Sequence, residues 1–277
     1  MFLIVCALSA EAKPLISVLS LRKDASSCPY ETYSSDDKEY ALVISGMGTI
    51  AAASATTYLL TRFGFRKEKD FLINFGSCAG KESGLNLINK ITDQISGRSF
   101  YPDMLYDFSS CGLSFSSEKA LVTCSHVVAS LEEENTLYEM EASGIFQAAS
   151  RFCPPHRMLF LKYVSDSGTD DPKKITAAHL TKCAEQQIAT IQKVFRKLSD
   201  VVEPEININE KLFCQTSIAL RLSETMRCEL RQLFLYAAAS GIDMQKHLRD
   251  FESQGRIPVP SKKEGKEVLD ALREKLI

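Results

Sequence analysis

The chain lacks several features that would assign it to a common class of protein. It has no tryptophan, which excludes little. Its nine cysteines form no C-x-x-C pair and no cysteine–histidine cluster at zinc spacing, so neither a metal site nor a disulfide framework is predicted. An odd number of unpatterned cysteines is typical of a reducing compartment, and we therefore expect a cytoplasmic protein.

Strong charge and long apolar runs are also missing. The formal net charge is −2, which provides no basic field to attract nucleic acid or an anionic membrane. No apolar run approaches the ~20 residues that cross a bilayer. Residues 1–10 are apolar but lack the basic leading region of a signal peptide, so we interpret them as a buried first strand. The expected partner is a small molecule. Binding to a membrane or to nucleic acid is not expected.

Buried strands alternate with helices over the first 200 residues. Apolar runs predict strands at 2–7, 40–44, 71–74, 120–123 and 159–164. Helical spacing predicts helices at 51–57, with Thr49 as N-cap, and at 142–152 and 188–198. This alternation predicts an α/β fold of three layers, α/β/α, with a central mixed, largely parallel sheet. The loops after the strands, at Ser45, Gly76 and Ser165, should meet at one sheet edge, where ligands bind.

The chain is predicted to have two parts. Residues 1–200 form the expected catalytic domain, within which Asp170 and Asp171 before Pro172 predict a helix start. Residues 201–209 are polar and predict a linker. Residues 210–277 predict a small all-helical extension of unknown role, with a capping box at 261–264.

Single motifs leave the function open. Gly46 and Gly48 follow a strand and precede a helix, as in a dinucleotide fold, but Ala51 occupies the place of the third glycine. No cofactor is therefore predicted. Isolated carboxylates such as Glu11 and Asp166 are more often capping or turn residues, and a lone histidine such as His126 is more often structural.

The order of the motifs is more informative than any one of them. An A-x-x-x-E pattern at 7–11 precedes a glycine loop at 45–53, N-F-G-S-C-A-G at 74–80, E-M-E-A at 139–142 and V-S-D at 164–166. In this order, over roughly residues 1–200, they resemble the 5′-methylthioadenosine/S-adenosylhomocysteine nucleosidases of the nucleoside phosphorylase/nucleosidase superfamily. The resemblance implies cleavage of the N-glycosidic bond of a purine nucleoside or 5′-modified adenosine. It also implies that the protein is a homo-oligomer, a dimer.

The resemblance also implies a role for each site residue. Asp166 would protonate or hydrogen-bond the purine as the bond breaks. Glu11 would activate the attacking water, with Ser77 and the backbone around Gly76 helping to place it. Glu141 would hold the ribose hydroxyls and favour an oxocarbenium-like sugar.

Further residues are assigned to substrate binding on the same resemblance. Met140 would pack beneath the ribose, and Glu139 and Gly46 would also contact the ligand. The family's Ser-Gly-Asp followed by an aromatic residue is replaced here by residues 124–128, and the segment between Arg98 and Ala120 is short. Arg98 and the aromatic residues of 97–103 could line the pocket instead. The identity of the substrate therefore stays open.

Two alternatives remain beside hydrolysis. A phosphorylase on the same fold would need phosphate held by the Gly46–Gly48 backbone and by a cation such as Arg22, Lys90 or Arg98. Glu11 would repel phosphate, which favours hydrolysis. A non-catalytic nucleoside-binding or accessory protein is the third possibility, because fold-level resemblance does not guarantee activity.

Overall fold

The computed structural model describes residues 1–25, 29–102, 104–131, 133, 135–168, 175–201 and 207–276. The chain divides into two units, Met1–Glu203 and Pro204–Ile277. The helix start predicted at residues 170–172 lies outside the described residues, as does most of the predicted linker.

Within the described residues of the first unit, ten strands form one mixed sheet. They are β1 (Phe2–Cys6), β2 (Arg22–Lys23), β3 (Glu31–Ser34), β4 (Tyr40–Ile44), β5 (Phe71–Ala79), β6 (Leu85–Asp93), β7 (Ser99–Phe100), β8 (Glu118–Thr123), β9 (Thr136–Glu139) and β10 (Met158–Asp166). The order is β10-β6-β8-β9-β5-β1-β4-β3-β2, with β7 on β6. Because β10 also pairs with β5, the strands β5, β10, β6, β8 and β9 close into a ring. Strands β4, β1, β5 and β10 run parallel, so their carboxyl ends point to the same side.

Helices cover both faces of this sheet. They are α1 (Ser9–Val18), α2 (Thr49–Phe63), α3 (Ala142–Ala149), α4 (Ala177–Glu185) and α5 (Ile188–Ser199). Alternate residues of β1 enter opposite layers: Leu3 and Val5 pack with α2 and α3, and Phe2 and Ile4 pack with α1, α4 and α5. The predicted α/β fold with a mixed sheet is confirmed.

The predicted boundaries needed correction where tertiary contacts outweigh local pattern. β5 continues to Ala79 through most of the segment 75–80 that the sequence predicted as a loop, because it pairs with β10 along that length. The N-cap of α2 is Gly48, and Thr49 is the first helical residue. Gly48 has a φ of 94°, a backbone conformation that favours glycine over threonine.

Helix α1 was missed because it contains Pro14. Proline has no N–H, so the carbonyl of Ala10, four residues earlier, receives no bond from it. The hydroxyl of Thr181 on α4 donates to this Ala10 carbonyl at 2.9 Å instead. This hydrogen bond satisfies the free carbonyl of α1, next to Glu11, and links α1 to α4.

A glycine allows α3 to lie directly against the start of α2. A Cβ at Gly144 would stand 2.2 Å from the backbone oxygen of Thr49. No larger residue fits without moving a helix. The close approach brings the residues that precede the two helices, Glu141 and Gly48, into contact.

The second unit is helical in its described residues. It contains α6 (Glu210–Ala219), α7 (Glu224–Ala239), α8 (Met244–Ser253) and α9 (Lys262–Leu276). Leu230, Leu233 and Phe234 of α7 pack in one core with Leu269 and Leu272 of α9. The Glu264 N–H donates to Ser261 Oγ at 3.3 Å, the backbone half of the predicted capping box. Among the described residues, no helix is long and apolar enough to cross a membrane.

Truncation after Asp200 tests whether the first unit folds alone. We expect residues 1–200 to keep a single cooperative melting transition, because both of the first unit's hydrophobic clusters lie almost entirely before that position. Thermal melting and size-exclusion chromatography of the fragment, compared with the full chain, measure this. A fragment without a cooperative transition would show that residues 201–277 complete the core.

Candidate active site

A cavity opens where the parallel strands β1, β4, β5 and β10 end. Its wall includes residues just beyond or at the ends of these strands, with others from the segments around β8 and β9 and from α4. They are Ala7, Leu8, Glu11, Met47, Ser77, Cys78, Ala79, His126, Val127, Val128, Tyr138, Glu139, Met140, Glu141, Ser165, Asp166, Ile175 and Leu180. The structure therefore brings together the strand ends that the sequence predicted to meet.

Glu11 lies in the first turn of α1, with only 2% of its surface exposed. Its Oε2 accepts the N–H groups of Ala7 and Leu8 at 3.1 and 3.0 Å. Its Oε1 accepts the N–H and the hydroxyl of Ser77 at 2.8 and 2.6 Å. These donors fix the carboxylate at the cavity wall.

Gly76, whose backbone the resemblance predicts to help place the attacking water, lies next to the Glu11 carboxylate. A Cβ at this position would stand 3.3 Å from both oxygens of the Glu11 carboxylate. The absent side chain thus leaves the space that the carboxylate occupies. Gly76 itself does not line the cavity.

Glu139 lines the cavity but is fully engaged by protein donors. Its carboxylate accepts from the Thr123 hydroxyl at 2.7 Å and from the N–H groups of Glu141 and Ala142, each at 2.9 Å. Lys162 completes the set at 3.0 Å, in an ion pair whose side chains are 2% and 1% exposed. The Glu139 carboxylate thus binds the start of α3, and the direct substrate contact predicted for this residue stays a prediction.

Glu141 is a further buried carboxylate of the cavity wall, beside Met140. Its Oε1 accepts the Gly48 N–H at 2.8 Å, across the contact between α2 and α3. Burial and then the negative charge of Glu139 raise the pKa of Glu141 to about 7. Near neutral pH this group can therefore exist with or without its proton.

The raised pKa of Glu141 predicts a loss of stability as the pH rises. The fold favours the protonated form, so its stabilising contribution is complete below about pH 4.5 and is lost as the pH approaches about 7. Glu141→Gln cannot ionise. We expect it to match the wild type near pH 5 and to exceed it at pH 8 by on the order of 2 kcal/mol, measured by urea unfolding. Equal pH dependence in both proteins would contradict the raised pKa.

Asp166 ends β10 and faces the cavity from the side of the last strand. Its Oδ2 accepts the Ser165 hydroxyl at 2.8 Å and its Oδ1 accepts the Gly168 N–H at 3.0 Å. Gly168 lies against the backbone oxygens of Val128 and Ala129, where a Cβ would approach to 3.3 Å. The turn that holds Asp166 is thus packed against the segment that carries His126, Val127 and Val128.

Other residues predicted to contact a ligand lie elsewhere. Arg98 is exposed, stacks over the Phe100 ring at 5.5 Å and does not line the cavity. The N–H of Gly46 donates to the Ala7 carbonyl at 3.0 Å, so this glycine shapes the loop while Met47 reaches the cavity. Lys90 is exposed on β6, and Arg22 pairs with Asp36 at the surface.

Lys162 is the residue that sequence reasoning missed. It stands within the apolar run of β10, where a charge requires a buried partner. That signal was available, but its partner, Glu139, lies 23 positions away in the chain. Only the tertiary structure identifies Glu139 as the partner of Lys162.

Comparison with known proteins supports the fold. No family model matches the chain. Over 66 residues it is 38% identical to the 5′-methylthioadenosine/S-adenosylhomocysteine nucleosidase of Bacillus pumilus (strain SAFR-032); the match covers 24% of this chain and 27% of the relative. The chain thus spans about a quarter of the length of that curated relative.

Solved structures match over a longer stretch. The 5′-methylthioadenosine/S-adenosylhomocysteine nucleosidase of Colwellia psychrerythraea 34H, in complex with adenine, aligns with a TM-score of 0.58 and 18% identity, covering 73% of this chain and 97% of its own. Futalosine hydrolase of Helicobacter pylori aligns with a TM-score of 0.57 and 14% identity, covering 71% and 97%. The chain therefore has a fold like that of the solved 5′-methylthioadenosine/S-adenosylhomocysteine nucleosidases and futalosine hydrolase.

Proposed function

We propose that this protein hydrolyses the N-glycosidic bond of a purine nucleoside or 5′-modified adenosine. The observation that carries the proposal is that Glu11, Ser77, Glu141 and Asp166 line one cavity at the carboxyl ends of the parallel strands. The low-identity relatives include nucleosidases and a futalosine hydrolase, which supports hydrolysis of this type.

Glu11 is suited to act on the attacking water. Its carboxylate is held by donors on both oxygens, and Ser77, which donates two of those bonds, lines the same wall. A fixed carboxylate that accepts a proton from water, while the water attacks the sugar carbon, acts as a general base. Asp166 would deliver or share a proton at the departing purine, as in inverting glycoside hydrolysis, where two carboxyl groups divide these tasks.

Glu141 is suited to the sugar. As the bond to the base breaks, the sugar develops positive charge, and an adjacent carboxylate is stabilised in its ionised form. Because its pKa is about 7, Glu141 can lose its proton near neutral pH when positive charge develops on the sugar. Met140 offers an apolar contact beside it.

The charge of the cavity favours water over phosphate as the nucleophile. Among the described residues of its lining there is no lysine or arginine, while Glu11, Glu141 and Asp166 are present. A phosphorylase must hold a dianion with cations or a nest of N–H groups. The cations considered for that role, Arg22, Lys90 and Arg98, lie outside the cavity lining.

A panel of purine nucleosides and 5′-modified adenosines tests the proposal. Each is incubated with the full chain, with and without inorganic phosphate, and the released base and sugar are measured. We expect free base and free sugar at equal rates in both conditions. A sugar phosphate formed only when phosphate is present would establish phosphorolysis, and binding without release of base would establish a non-catalytic protein.

A further inference from the structure

A buried ammonium lies behind the sugar end of the proposed site. Lys162 is on β10, directly beside Gly76 of β5 in the parallel register. Side chains at paired positions of parallel strands point to the same face of the sheet. Lys162 therefore extends on the face where Gly76 leaves room for the Glu11 carboxylate.

One ammonium faces three carboxylates here, so the negative charge around Lys162 exceeds its own positive charge. Its Nζ donates to Glu139 Oε2 at 3.0 Å, and the carboxylates of Glu139, Glu141 and Glu11 all act on it electrostatically. Burial lowers the pKa of Lys162, but these three carboxylates more than offset that effect and raise it. Lys162 is therefore an ammonium facing three buried acids.

Lys162 reaches Glu141 through Glu139. The Glu139 carboxylate binds the N–H groups of Glu141 and Ala142, and the Thr123 hydroxyl that it accepts is itself bound by the Ser143 N–H at 3.0 Å. This chain of bonds fixes the start of α3, where Glu141 stands. The Glu139 carboxylate also places a negative charge beside Glu141. Of the groups named here, Lys162 is the cation that compensates for this charge.

We propose that Lys162 is a positioning residue for the sugar end of the site: its ammonium holds Glu139 in place and allows Glu141 to ionise opposite the sugar. This inference rests on the proposed function for its catalytic meaning, but the ionisation of Glu141 can be measured without turnover. The groups that face Glu141 are Glu139 on β9, Lys162 on β10, Glu11 on α1 and the Gly48 N–H before α2.

Two variants that break the same ion pair separate this role from a merely structural one. Lys162→Met removes the compensating charge, so the midpoint of Glu141 ionisation should rise by about one pH unit. Glu139→Gln removes the repelling charge and leaves Lys162, so the midpoint should fall by a similar amount. Lys162→Arg keeps the charge and should restore the wild-type midpoint, and Lys119→Met, which breaks the surface pair with Glu82, should leave it unchanged.

The midpoint is read in two ways on the full chain. Carboxyl NMR of protein labelled with ¹³C-glutamate, with the Glu141 signal assigned by its loss in Glu141→Gln, follows the ionisation directly. The pH profile of kcat/KM should show its acid limb shifted in the same directions. Unchanged midpoints, or shifts in the same direction for both variants, would overturn the proposal. If Lys162→Met does not fold, the double variant Glu139→Gln/Lys162→Met, which removes both charges of the pair, decides: a midpoint above that of Glu139→Gln supports the role of Lys162, and an equal or lower midpoint refutes it.

Failure of the proposed function gives a different result. A wild-type protein that releases no base from any nucleoside would refute the glycosidase, while the NMR titrations would still test the link from Lys162 to Glu141.

Discussion

Asp166→Asn is expected to keep the fold and nucleoside binding and to lose turnover by about 10²- to 10⁴-fold. Asparagine has the same shape, and its amide oxygen can still accept one of the two bonds that hold Asp166, from Ser165 or from Gly168. It cannot donate a proton to the departing purine as a carboxylic acid does. The measurement is kcat for release of base, with nucleoside affinity and thermal melting determined on the same samples.

The leaving group provides a sharper form of this test. A riboside whose leaving group is a stable anion, such as 4-nitrophenolate, needs no proton, so Asp166→Asn should cleave it nearly as fast as the wild type does. Asp107→Asn is a matched control, because Asp107 is exposed and accepts hydrogen bonds from Ser109, two positions further along the chain. A near-normal rate of Asp166→Asn on a purine nucleoside would remove Asp166 from the mechanism.

Glu11→Gln should lower turnover on the order of 10²-fold, equally with and without phosphate. The amide oxygen can still accept from Ser77, but the amide cannot take a proton from water. Its NH₂ group would also face the N–H groups of Ala7 and Leu8, which lose their acceptor. We therefore expect a measurable loss of stability as well, about 1–3 kcal/mol, seen in urea unfolding.

The two effects of Glu11→Gln can be told apart. Rates are measured at a temperature where the variant is fully folded by circular dichroism, and Glu185→Gln, at an exposed position of α4, serves as the control. Phosphate-dependent release of base that survives in Glu11→Gln would favour a phosphorylase over the proposed hydrolase. Full activity without phosphate would exclude Glu11 as the base.

Local pattern was sufficient for β1 and β4, two short strands that are apolar on both faces. β4 begins and ends where the sequence predicted it, and β1 differs by a single residue, because each is covered by helices on both sides and reads as a continuous apolar run. β6 escaped prediction because polar residues such as Asn89 and Lys90 interrupt it. Its identity as a strand comes from pairing with β8 and β10, which local sequence does not encode.

The sequence by itself determined the candidate carboxylates, through their order along the chain and their places after apolar runs. Only the tertiary structure decided their environment. Whether Glu139 meets a substrate or a lysine depends on Lys162, which lies on a different strand. That Gly76 makes room for Glu11, and that Arg98 lies away from the cavity, likewise follow from packing. The physical reason is that burial and charge pairing act through space: the groups that shift the pKa of Glu141 come from β9, β10 and α1, and only the tertiary fold brings them close to each other.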